Sequence, residues 1–156
     1  MRLLKPLIVL LLIGLGSTAA FADSYKIGNI EVMHPWARAQ LKGTTVADGF
    51  VQIVNHGSTD DTLLSVSVDF ATAQIHNMTM NGNMMQMEEM KDGVPIPAGG
   101  SVTFQPNAMH IMFVNMNRQL QPNQMVDGEL NFAKAGKLKV QFIVEPAGAT
   151  QSMDMN

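Results

Sequence analysis

The sequence predicts an all-β domain, an antiparallel sandwich or barrel. Short segments alternate apolar and polar residues, clusters of Gly, Pro, Asn and Ser separate them, and no stretch after residue 23 carries a convincing helical apolar period.

The elements follow in order. Residues 26–33 (KIGNIEVM) form a first strand, stopped by Pro35. Residues 49–55 alternate through Val51 and Ile53 and end at Asn55-His56-Gly57-Ser58. In 62–70, Leu64, Val66, Val68 and Phe70 share one face and Ser65, Ser67 and Asp69 the other. Segments 71–80 and 84–90 pair as a hairpin around Asn81-Gly82-Asn83. Strands at 101–105, 109–115, 126–132 and 137–144 complete eight or nine, the last alternating through Leu138, Val140, Phe142 and Val144. No linker, repeat or long charge block divides the chain, so one domain is expected over 23–145, with a mobile tail carrying Met153 and Met155 at 146–156.

The first 22 residues read differently. Arg2 and Lys5 precede an apolar run at 7–15, and Ala20-Phe21-Ala22 closes it, the pattern of a cleaved secretory signal peptide. The run is short for a membrane span, so no membrane insertion is expected after its removal. Without Arg2 and Lys5 the ten basic residues become 8 against 13 acidic ones, a formal charge of −5. That balance offers nucleic acid or anionic lipid no attraction. The chain has no cysteine, so neither a disulfide nor a lipid-bearing thiol is available, and a monomer stabilised by burial alone is expected.

Chemistry concentrates in HNMTMNGNMMQMEEM (76–90) and MHIMFVNM (109–116). Nine of the fourteen methionines lie between Met78 and Met116. On a strand, residues two apart share a face, so His110 and Met112 are neighbours, as are His76, Met78 and Met80, and Met85 and Met87. One methionine on a strand is ordinarily packing, and one histidine ordinarily a hydrogen-bonded structural residue. The segment 78–90, however, interleaves its thioethers with Asn, Gln, Glu, Thr and Gly, a composition too polar for a core strand. Neutral thioether with neutral imidazole selects Cu(I) over Zn(II), Mg(II) or Ca(II), and the absence of cysteine excludes a blue-copper electron-transfer site. A carrier is favoured over an enzyme, because a filled ligand set leaves no position for substrate. Two other readings remain: a copper buffer against metal stress, and a β-sandwich interaction module gripping a partner through its methionines.

His34 before Pro35-Trp36 reads as structural, His56 as a solvent-exposed turn residue, and Trp36 with Arg38 as a packing and pairing element. Asp60-Asp61 and Glu88-Glu89 read as solvated charge.

The chain resembles the periplasmic copper chaperones of the PCuAC family, which help build the copper-A centre of cytochrome c oxidase. Their signature is His, ten residues, Met, about twenty-one residues, then His-x-Met. Here ten residues separate His76 from Met87, twenty-two separate Met87 from His110, and Met112 completes the motif. HPWARA (34–39), DGVPIPAGGSVTFQP (92–106) and AKAGKLKVQFIV (133–144) extend the similarity over nearly all of the expected mature chain. The resemblance implies a cupredoxin-like Greek-key β-barrel holding Cu(I) near its surface through His76, Met87, His110 and Met112. It also implies export to a bacterial periplasm and delivery to the oxidase's copper-A subunit in concert with Sco-type thiol proteins. Met78, Met80, Met84, Met85 and Met90 stand as alternatives to Met87.

Overall fold

A computed structural model describes residues 24–152; the expected signal peptide at 1–22, residue 23 and the last four residues of the expected tail lie outside the described residues. Eleven strands follow one another with no helix among the described residues: β1 (Ser24–Ile27), β2 (Ile30–Arg38), β3 (Ala47–Asn55), β4 (Asp61–Val68), β5 (Thr72–Asn81), β6 (Met84–Glu89), β7 (Val94–Ile96), β8 (Ser101–Phe104), β9 (His110–Val114), β10 (Met125–Phe132) and β11 (Gly136–Glu145). The expected all-β class is the one observed. Hydrogen-bonded neighbours run β6-β5-β9-β3-β2-β11-β10-β4-β7, with β1 on β2 and β8 on β3. Strands distant in the chain are neighbours, β9 beside β3, β11 beside β2 and β4 beside β10. The order ends at β6 and β7 without closing into a barrel, and β2 with β11 makes one parallel pair among the antiparallel ones.

Two sequence expectations shift because strands bulge. Pro35 does not stop β2. The register of β2 against β3 slips between Met33 and Trp36, and His34 takes a φ of 48°. A bulge leaves a residue outside the ladder, and Pro, lacking an N–H, is tolerated there. The single strand expected at 26–33 is instead two, β1 and β2, turned by Gly28 at φ 55°. On β4 the register against β10 slips at Leu63, so Leu63 is buried while Leu64 turns out to solvent. Past the bulge, Val66 returns to the core, as alternation predicts.

The core fills the space between the two halves of the sheet: Val32, Ile53, Ile111 and Phe113 from one, Leu63, Leu130, Phe132, Val140 and Phe142 from the other. Phe113 sits at its centre, edge-on to Phe70 at 5.1 Å and to Phe142 at 6.0 Å between ring centroids. Such pairs add about 0.5–1.5 kcal/mol each beyond area burial. Pinning Phe113 and Ile111 inward forces the alternate residues of β9, His110 and Met112, onto the other face. Of the expected mobile tail, residues 146–152 run back along the domain. The Ala149 carbonyl accepts from Arg38 Nε (3.0 Å), and buried Ser152 donates to Glu145 (3.2 Å).

Candidate metal centre

β5 lies between β6 and β9, and the register of these three strands assembles the candidate site. His76 stands opposite His110 on β9 and opposite Glu89 on β6. One row along, Gln74 faces Met112, which in turn faces Asp48 of β3. One row the other way, Met78 faces Met87, and beyond that Met80 faces Met85. Directly paired residues project from the same face of an antiparallel sheet. Thus all four residues implied by the resemblance, His76, Met87, His110 and Met112, share one face of three adjoining strands.

Their closeness is unequal. The imidazoles of His76 and His110 are 5.9 Å apart between centroids, tilted by 51°. Met112 follows His110 on its own strand. Met87 is diagonal to His76 and lies on the far side of the histidine row from Met112. A diagonal cross-strand neighbour is roughly 7–8 Å away, within reach of a methionine side chain. Met78, its direct partner and the second residue after His76, stands equally near, while Met84 faces Asn81 on the opposite side of the hairpin. Met90 packs against the core.

Each histidine keeps one ring nitrogen available. His110 is buried, and its Nδ1–H donates to the Ala108 carbonyl at 2.9 Å, which directs the Nε2 lone pair outward. His76 Nε2 bonds Gln74 Oε1 at 3.1 Å. With the amide oxygen as acceptor, Nε2 carries the proton and Nδ1 the lone pair. That Nδ1 is buried and has no hydrogen-bond partner. A buried nitrogen without a partner costs about 1–3 kcal/mol, a penalty a bound cation would remove. Burial, joined by repulsion from His110 and opposed by Glu89, lowers the His76 pKa below its ordinary value. The lone pair is therefore free at neutral pH. Among the described residues no three His, Cys, Asp or Glu side chains are placed to hold a metal. A donor set here requires thioether.

The neighbours of the site were less legible. Glu89 and Asp48 bring carboxylates to the same face, Asp48 in an ion pair with Arg38 at 3.5 Å. Alternation does put Glu88 and Glu89 on opposite faces, but only the register reveals that Glu89 stands beside His76. Trp36 stacks on Phe50 at 4.3 Å, and Arg38 lies 5.3 Å over the same ring, which bears out the packing-and-pairing reading. Phe50, two residues from Asp48 on β3, is buried and pairs with Trp36 of β2. His56 is not a bare turn residue: its Nε2 meets Glu31 at 2.7 Å, holding that carboxyl below the usual range. His34 Nδ1 is buried without a partner, away from the site in register. Asp61 is no solvated charge either, being buried under three backbone donors.

Fold and site together define a β-domain with two imidazoles and several thioethers on one sheet face. The chain belongs to the LpqE-like family, described as "Putative lipoprotein LpqE-like", which matches residues 30–144. A relative from Leifsonia xyli subsp. xyli (strain CTCB07), "Putative lipoprotein Lxx21020", is 28% identical over 125 residues, covering 79% of this chain and 74% of its own. Among solved structures, the copper-bound PCuAC domain from PmoF2 is 28% identical with a TM-score of 0.67, over 80% of this chain and 99% of that one. The apo PmoF2 PCuAC domain gives 25% and 0.71, over 83% and 99%. The Cu(I) form of DR1885 from Deinococcus radiodurans shares the fold at 20% identity and a TM-score of 0.60, covering 80% of this chain and 81% of that one. The fold is thus the cupredoxin-like fold of PCuAC domains.

Proposed function

We propose that this protein is an exported, monomeric Cu(I) carrier that delivers copper to the copper-A centre of cytochrome c oxidase in the periplasm, working with Sco-type thiol proteins. One observation carries the reading: a buried, unpartnered imidazole nitrogen on His76 stands 5.9 Å, ring to ring, from a second histidine, on a face that also bears Met112 and Met87. Similarity to PCuAC domains, one of them copper-bound at 28% identity, supports the metal and the carrier role. The lipoprotein description of the family supports export.

Copper is the cargo, and the side chains only hold and release it. His76 Nδ1, His110 Nε2 and the sulfurs of Met87 and Met112 are the donors. All four are neutral, so they stabilise a monovalent soft ion without trapping it. A recipient offering thiolates, which are charged, outcompetes them. The hydrogen bonds from His110 to Ala108 and from His76 to Gln74 fix ring orientation and tautomer in advance.

Anaerobic Cu(I) titration against a competing chelator tests the site. His110→Ala, Met112→Ala and His76→Ala should each lower affinity at least about tenfold, and Met87→Ala by a similar or smaller factor. Unchanged affinity in the two histidine variants would sink the reading. Deleting the gene and growing cells in limiting copper tests delivery. Lost oxidase activity is expected; hypersensitivity to excess copper with intact oxidase would make the protein a buffer.

A further inference from the structure

The structure divides the methionines into two populations. Met90, Met109 and Met116 pack against the core, whereas Met80, Met84, Met85 and Met87 are exposed and Met78 is half-buried. Met80, Met85 and Met87 are 64%, 53% and 48% exposed, although together they carry the largest apolar groups of the β5–β6 hairpin. Packing therefore does not account for them. Their placement is ordered nonetheless. Met78–Met87 and Met80–Met85 form two successive rungs on the face that bears His76. Side chains directly opposite have Cβ atoms about 4.5–5.5 Å apart, and diagonal ones about 7–8 Å, so flexible thioethers on neighbouring rungs can meet at one point. The inner site takes one thioether from the inner rung. Three remain.

We propose that this hairpin holds a second, outer Cu(I) ion through Met78, Met80 and Met85. Three neutral sulfurs and no imidazole suit a soft monovalent cation and reject zinc, magnesium and calcium. Lacking nitrogen donors, and with Met80 and Met85 mostly in solvent, the outer site binds more weakly than the inner one. The outer site stands on the hairpin alone. Its role as a loading station rests on the carrier function proposed above. An ion moving inward exchanges one neutral thioether at a time for thioether or imidazole, so its oxidation state and the charge of the site stay constant.

Met84 supplies the control. It is 68% exposed, on the same hairpin, and faces Asn81 on the other side of the ribbon. The mature protein, with methyl-13C methionine, is titrated anaerobically with Cu(I) against chelators of graded strength and followed by NMR. Two equivalents are expected, the second shifting the methyl signals of Met80 and Met85 and leaving that of Met84 in place. Met80→Ile with Met85→Ile should abolish the second equivalent and change the affinity of the first by no more than about twofold. Met84→Ile should keep both. His110→Ala with Met112→Ala should lose the tight equivalent and retain the weak one, so failure of the inner site is read separately from failure of the outer. A single equivalent in the unaltered protein, a second one that survives in the Met80/Met85 double variant, or its loss in Met84→Ile overturns the outer site.

Discussion

His76 and His110 face each other with one nitrogen apiece committed to the protein and one left over. That division of labour leaves each ring one nitrogen that a bound cation could use. Because the folded protein lowers the His76 pKa, the unfolded chain takes up the proton first on acidification. The stability of the metal-free protein should hold above the ordinary histidine range, near pH 6.5, and decline as pH falls through the folded pKa below it. Cu(I) affinity should decline in the same acid window, where a proton occupies Nδ1. Glu89 alone pulls the other way, so Glu89→Gln should move the His76 titration further to the acid side. Ring-proton NMR of the metal-free protein checks it, and a shift upward would contradict the placement of Glu89 beside His76.

At the scale of elements, the site depends on how closely β3 and β9 approach. Gly49 pairs with Ile111, and a Cβ there would lie 2.8 Å from the Phe113 ring and 3.3 Å from Ile111 Cβ. Gly49→Ala must push Phe113 out of its edge-on contacts with Phe70 and Phe142. A loss of about 1–3 kcal/mol in urea unfolding is expected, the usual range for an overpacked core. Since Phe113 and Met112 are adjacent on β9, the same variant should also weaken Cu(I) binding; unchanged affinity would mean that β9 holds its position without Gly49. Alternation alone foretold that His110 and Met112 leave one face while Ile111 and Phe113 leave the other. It failed where the backbone slips, at His34-Pro35 on β2 and at Leu63-Leu64 on β4. No periodic pattern encodes a bulge, because the extra residue is selected by the neighbouring strand. The short strand β7 was missed for a related reason: Val94-Pro95-Ile96 contains a proline and pairs only through β4.

For the whole molecule, stability without disulfides rests on the core and on a few buried polar anchors. Asp61 is the clearest. Burial raises its pKa, yet the backbone N–H groups of Lys134, Thr62 and Ala135, at 2.8–2.9 Å, outweigh burial and lower it overall. Two of the three donors, Lys134 and Ala135, tie β4 to the turn between β10 and β11. This stability is fully present above the unfolded value near 3.8 and is lost as pH falls through the lower folded one. Asp61→Asn places an amide donor against the Ala135 or Lys134 N–H and should cost about 1–3 kcal/mol at neutral pH, measured by denaturant unfolding. A neutral outcome would assign the anchor to packing. The sequence offered only an acidic pair at Asp60-Asp61, since two of the carboxylate's backbone donors, 73 and 74 residues away along the chain, leave no mark in composition.

The chain by itself determined its all-β class, the faces of β5, β6 and β9, and the kind of donor it can offer, because side-chain alternation and the chemistry of sulfur and nitrogen are local properties. Only the tertiary structure decided that β5 lies between β6 and β9, that His76 meets His110, that Met87 and Met112 flank the histidines on opposite sides, and that Glu89 and Asp48 border them. Those facts belong to strand order and register, which are set by burying Ile111, Phe113 and Phe142 in one shared core.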